Sequence, residues 1–396
     1  MAIFAYPPRI EIRESLECLT DIITPTDGIG SEQRIALRSM PRQSFTYSIP
    51  LMNEKEQSRF EAVMFGNQKS TWDLPIWVEK IPHTATITAG AMAITVDTTT
   101  ADFRDDSYVI IWKSLTEYEK VLIDTVNAGS LTLSAAVVST YTGNKFIMPC
   151  RTANVVGITR RKNDEVPFSI AQVTFAVKDN ILLSGYVADQ EYADDASPAE
   201  DLPIIITGSV IGMQNKEYSS DSDSMLQDYN TGDFDYFSSS EFNLIAQNWT
   251  FYNDTRAKCW DFRLLLHSLL GRRGTCWMPT YRKDLIQIET IGAADTEIQV
   301  ENIELADNMG LNDLRTHLAF IFTDGTILPR KIEDISENAA GYDVVTIDSA
   351  LGLEVESGDC IISFLDLCRQ ASDVINIDWT ETDRNKSNQI FMAVVE

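Results

Sequence analysis

One pattern, written twice, constrains this chain more than any other feature. Between Ser44 and Trp77 lie an alternating strand (Phe45, Tyr47, Ile49), a polar-started helix over 54–65, Gly66 as its stop, and an exit through Trp72, Pro75 and Trp77. Roughly two hundred residues later the same order returns. Trp249 and Phe251 mark the strand, 256–270 the helix, Gly271 the stop, and Trp277, Pro279 and Tyr281 the exit. Few side chains are identical, but element type and punctuation agree.

The match continues downstream. Leu131 and Leu133, then Gly143, then Pro149, Cys150 and Arg151 are answered by Val345 and Ile347, then Gly358, then Leu367, Cys368 and Arg369. A last strand follows each, over 170–177 and 389–395. These correspondences predict a mainly β fold made by tandem duplication of a sandwich or barrel unit with one packed helix. Between 81 and 149, and again between 286 and 368, short alternating strands with glycine punctuation predict a small inserted antiparallel β-barrel in each copy.

The expected order is therefore a first core unit (1–80), its inserted barrel (81–149) and its closing strands (150–180). An acidic linker (181–203) follows, then a second core unit (204–285), its barrel (286–368) and its closing strands (369–396). In the first helix Asn53 and Glu56 form a capping box, and Phe60, Val63 and Met64 form the buried stripe. In the second, Trp260, Leu264, Leu265 and Leu269 give a heavier one. Phe60, Trp72, Pro75 and Trp77, with Trp260, Leu264, Trp277 and Pro279, are the anchors of the repeated motif.

With 396 residues, 44% of them hydrophobic, the chain is long enough for two or more cores. Its 59 acidic residues outweigh 32 basic ones, for a net charge of −27, which argues against binding a phosphate backbone that demands a positive stripe. Arg160, Arg161 and Lys162 read more simply as a solvated turn. Pro7, Pro8 and Arg9 interrupt the first apolar run, so no secretory signal is expected, and no apolar stretch approaches the roughly 20 residues of a membrane span. The six cysteines are scattered without metal or redox spacing, which predicts buried free thiols in a reducing cytoplasm.

Little in the sequence supports catalysis. The three histidines, His83, His267 and His317, are far apart, and no nucleophile elbow, Walker loop or dinucleotide fingerprint is present. Gly271 and Gly274 follow a helix and do not open one, so they predict a cap and turn, not a phosphate site. Asp221 and Asp223 lack the glycine and glutamate of a calcium loop. No enzyme activity, metal or cofactor is expected.

Leu19, Thr20 and Asp21, then Glu32, Gln33 and Arg34, then Ala36, Leu37 and Arg38, then Pro41 and Arg42 carry a resemblance. So do the helix 54–65 and the exit Leu74, Pro75, Ile76 and Trp77. Over roughly its first eighty residues the chain resembles tail-tip proteins of long-tailed bacteriophages, and is most similar to a family that includes distal tail, or baseplate, components. The resemblance implies a virion protein, assembled in the host cytoplasm into a homo-oligomeric ring. Its neighbours would be the tail tube protein, the baseplate hub, and tape-measure or fibre proteins.

Tubes of such tails are six-fold and the hubs beneath them three-fold, so a doubled chain favours a trimer with pseudo-six-fold symmetry, with a hexamer as the alternative. Arg34, Arg38 and Arg42 then suit carboxylates on a neighbouring subunit, or equally ion pairs within their own domain. The acidity suits either a lumen that repels DNA in transit or plain solubility. The competing class is a carbohydrate-binding receptor protein, which needs exposed aromatic residues on the inserted barrels; Tyr118, Tyr141 and Tyr342 are its candidates.

Overall fold

The computed structural model describes residues 2–9, 11–23, 32–162, 168–193, 201–206, 217–221, 224–228, 230, 232, 234–238, 244–311 and 314–394. The turn that Pro25, Asp27 and Gly28 predict over 24–28, the Asp194–Glu200 part of the acidic linker, the strand that the apolar pair Val210–Ile211 predicts, and Asp223 fall outside them. The fold is mainly β, with large antiparallel sheets.

The chain opens with β1 (Ala2–Ile3), β2 (Ile12–Glu17), a hairpin of β3 (Thr20–Ile23) and β4 (Gln33–Ala36), and β5 (Arg42–Leu51). Helix α1 (Glu54–Asn67), β6 (Thr71–Pro75), a 3-10 turn at Trp77–Glu79 and β7 (Ile81–His83) follow. Then come β8 (Ala93–Thr95), β9 (Tyr108–Trp112), β10 (Tyr118–Asn127), β11 (Ser130–Leu133), the long β12 (Lys145–Lys162) and β13 (Ser169–Val177). The connection carries β14 (Glu191–Tyr192) paired with β15 (Leu202–Pro203).

The second half starts with β16 (Glu217–Asp221), a hairpin of β17 (Ser224–Asp228) and β18 (Phe234–Ser238), β19 (Leu244–Asn253), α2 (Arg256–Leu269) and β20 (Thr275–Pro279). It continues through β21 (Glu297–Val300), the single-turn α3 (Leu305–Asn308), β22 (His317–Phe322), β23 (Ile327–Glu337) and β24 (Asp343–Ile347). It closes on β25 (Cys360–Gln370), β26 (Val374–Glu381) and β27 (Arg384–Ala393).

Alternation sets the faces of the core strands. Phe45, Tyr47, Ile49 and Leu51 on β5 are buried opposite Phe175, Val173 and Ala171 on β13. Asn53 caps α1 by accepting from the Glu56 N–H at 2.9 Å, and Glu56 accepts in return from the Met52 N–H at 2.8 Å. Gly66 is not the stop expected of it: α1 runs through it to Asn67, whose side chain donates to the Val63 carbonyl at 2.9 Å. The second helix does end at its expected place, on left-handed Leu270 (φ 53) and Gly271 (φ +68).

Strand pairing in the two halves follows one scheme. β5 lies between β2 and β13, and β19 between β16 and β27. Ile3 pairs in parallel with Asp73 on β6, and Ile204 with Trp277 on β20; the next amides, of Phe4 and Ile205, each donate to that residue's carbonyl at 2.9 Å. Each inserted sheet runs β9–β10–β11–β8 or β22–β23–β24–β21. Its long strand bends at a bulge, between Ile123 and Thr125 in one and Ile332 and Asp334 in the other.

The register corrects the sequence alignment of the closing strands. Pro75 faces Cys150 and Leu74 faces Arg151, whereas Pro279 faces Leu365 and Met278 faces Asp366. Arg151 therefore has Asp366 as its counterpart, not Arg369. The reason is physical: β25 is buried on both faces from Ile362 to Gln370, so no alternation marks its register and only pairing with β20 fixes it.

The halves are not separate cores. One hydrophobic cluster joins Phe45, Phe60 and Trp72 with Trp249, Phe262 and Trp277, while each inserted sheet keeps its own satellite cluster. What merges them is β2, which pairs with β5 on one edge and with β26 of the second half on the other. Among the described residues no helix is long and apolar enough to cross a membrane. All six cysteines are buried and free.

Candidate assembly interface

Most of the expected anchors lie in the core. Phe60, Trp72 and Trp77 are buried with Pro75, and so are Trp277 and Pro279. Trp260 is a correction. It is half-buried, and the position equivalent to Phe60, counted from the matching helix starts, belongs to Phe262. Leu264 is buried but outside the central cluster.

The three arginines differ in exposure. Arg34 is half-buried on β4, Arg42 is exposed at the start of β5, and Arg38 lies between them with its guanidinium 3.1 Å from the Glu17 carboxylate of its own chain. Of the tyrosines, Tyr141 is buried in the first satellite cluster, Tyr118 is half-buried, and Tyr342 is exposed.

The strongest electrostatic feature is one the sequence does not reveal, where the second half meets the first. β2 places Glu14 and the turn after β6 places Glu79, both almost without solvent exposure. Arg263 of α2 enters between them, its Nη2 2.9 Å from Glu14 Oε1 and its Nη1 2.8 Å from Glu79 Oε1. Both carboxylates accept from further donors. Glu14 accepts from Trp379 Nε1 at 2.9 Å and Gln43 Nε2 at 2.7 Å, and Glu79 accepts from the Asp102 N–H at 2.5 Å.

Burial works to lower the Arg263 pKa, but the two carboxylates outweigh it and raise it. The cation is flanked by the rings of Trp260, 5.5 Å away, and Trp379, 6.0 Å away.

The same face of α2 makes the neighbouring contacts. Arg256 donates to the Glu79 and Lys80 carbonyls at 3.0 Å each and to Thr100 Oγ1 at 2.8 Å. One turn beyond Arg263, His267 Nδ1 accepts from the Leu183 N–H at 3.2 Å. Asp373, in the turn between β25 and β26, accepts from the Thr20 N–H at 2.8 Å and the Arg272 N–H at 3.0 Å. Arg369 grips Glu32 through two bonds of 2.6 and 2.7 Å. Beside this junction Asp102 sits against Arg104 and Arg151; burial works to raise its carboxyl, and the arginines outweigh that and hold it below the usual carboxylate range.

Such a network can hold two bodies at one angle, because a misplaced residue would leave a buried charge unpaired. Among the described residues no group of three or more His, Cys, Asp or Glu is placed to hold a metal ion. The one hint in the sequence is Arg263 itself, a cation set between Phe262 and the apolar run Leu264 to Leu266. Compared with known proteins, the chain matches no family model and no curated protein.

Proposed function

We propose that the two halves are copies of one ancestral unit, and that the chain is a non-enzymatic structural component of a phage tail tip. It would close into a ring that joins the tail tube to the hub or fibres and surrounds the path of the ejected DNA. The observation that supports this reading is the junction. The halves share a sheet through β2 and are locked at a fixed angle by Glu14, Arg263 and Glu79, as expected of a repeating segment in a closed assembly. The tail-tip assignment adds the resemblance carried by residues such as Glu32, Arg34, Arg38 and Arg42.

Three chains with two units each would present six similar contacts to a six-fold tube above and three identical ones to a hub below. The net charge of −27 suits a lumen through which DNA passes without sticking. Averaged electron micrographs of assembled particles, with the chain tagged, test the reading: it expects the tag on a ring at the tail tip. A tag on fibres, together with glycan-array binding, would favour the receptor-binding alternative, for which Tyr342 is the exposed one of the three candidate tyrosines.

A further inference from the structure

Resting on that ring reading, we infer that copies of this chain join by repeating, between chains, the junction that links the two units within one chain. Among the described residues, two strand edges lack a partner in a matching way. β16, the counterpart of β2, has β19 on one edge and no strand on the other among the described residues. The Gly157–Lys162 stretch of β12, the counterpart of β26, has β13 alone among the described residues. Within the chain the equivalent edges pair antiparallel, β2 with β26. Open edges of this length are ordinarily covered or blunted.

The register carries over position by position. Ser15 pairs with Asn376. Its counterpart on β16 is Ser219, and that of Asn376 on β12 is Thr159, both exposed. Arg13 and Asp378, an ion pair at 2.8 Å, occupy the positions that in the open edges belong to Glu217 and Arg161.

The helix face repeats the exchange. On α2 the covered face runs Arg256, Arg263, His267; on α1 the same positions are Glu54, Glu61 and Phe65, all exposed, with Phe65 at 89%. Glu79, which Arg263 grips, has the exposed Lys283 as its counterpart, fixed by the matching bonds of Ile76 to Pro149 and Thr280 to Phe364. Glu61 of one copy thus meets Lys283 of the next, with the apolar patch around Phe65 and Ile158 covered. Reversed charges keep the internal and external junctions from exchanging partners. The contact is heterologous, and its repetition closes a ring.

Oxidative cross-linking of the T159C/S219C chain tests the register. The six native cysteines are buried, and paired strand positions lie within disulfide reach. We expect covalent dimers and trimers from the double variant and none from either single variant. E61K or K283E alone should weaken self-association about tenfold or more, and E61K/K283E together should restore it.

Rings in micrographs without the 159–219 cross-link, and with no rescue by the double charge exchange, overturn this interface and leave the ring reading standing. A chain that stays monomeric and uncross-linked at every concentration overturns both.

Discussion

Arg263 on α2 and Glu14 on β2, far apart in sequence, form an ion pair at 2.9 Å with both side chains shut off from solvent. The pair joins the second half to the first and includes Glu79 as its third member. Arg263→Met removes the cation that pairs with both buried carboxylates, so it should destabilise the chain by about 3–5 kcal/mol in chemical denaturation. Adding Glu14→Gln and Glu79→Gln should recover much of that loss, because the packing survives and no charge is stranded. A single variant as stable as the wild type would remove this junction from the account.

His267 makes acid stability a second test. Burial, and after it the nearby Arg263 guanidinium, pushes the imidazole down to about 3. The unfolded chain takes up this proton near pH 6.5. The depressed folded pKa means that the neutral ring's contribution is complete above pH 6.5 and is lost as pH falls from 6.5 toward 3.

His267→Asn keeps an acceptor for the Leu183 N–H without titrating. The wild type should lose about 2 kcal/mol relative to this variant between pH 7 and pH 5. Thermal melts of the pair at a series of pH values would show it; a constant difference would contradict the burial argument.

Two glycines with the same role in the sequence should respond oppositely to alanine. Gly66 lies inside α1 with open space where a Cβ would go, so Gly66→Ala should stabilise by about 0.5–1 kcal/mol. At Gly271 the φ of +68° is left-handed, and a Cβ would come 2.6 Å from Asp373 Oδ1 and 3.0 Å from Cys18 Cβ. Gly271→Ala should cost about 2 kcal/mol or more and loosen the bonds Asp373 makes to Thr20 and Arg272. Urea midpoints of both variants check the signs.

These residues also mark how far the sequence could be read. The alternation of Phe45, Tyr47 and Ile49, the cap at Asn53 and the aromatic exit at Trp72 and Trp77 are local signals, and the elements stand where those signals put them. Gly66 misled because a glycine near a helix end is a stop only when the chain turns left-handed there, and that depends on what the next element contacts.

The closing strands misled because β25 is buried on both faces and its Cys368 and Arg369 copy the chemistry of Cys150 and Arg151 in a different register. The junction was hidden for another reason. Glu14, Glu79 and Arg263 each look like surface residues, and only pairing of β2 with a strand at the far end of the chain buries them together. The charge reversal between Arg263 and Glu61 was present in the sequence throughout, but it acquires meaning only when the two helices are overlaid.

The most direct measurement is a cryo-electron microscopy map of the purified chain at concentrations where it self-associates. The account predicts a closed ring of three chains in which β16 of each copy continues into Gly157–Lys162 of the next, so that six similar units surround the axis. A ring whose chains meet through other surfaces, or particles of isolated chains, would contradict it.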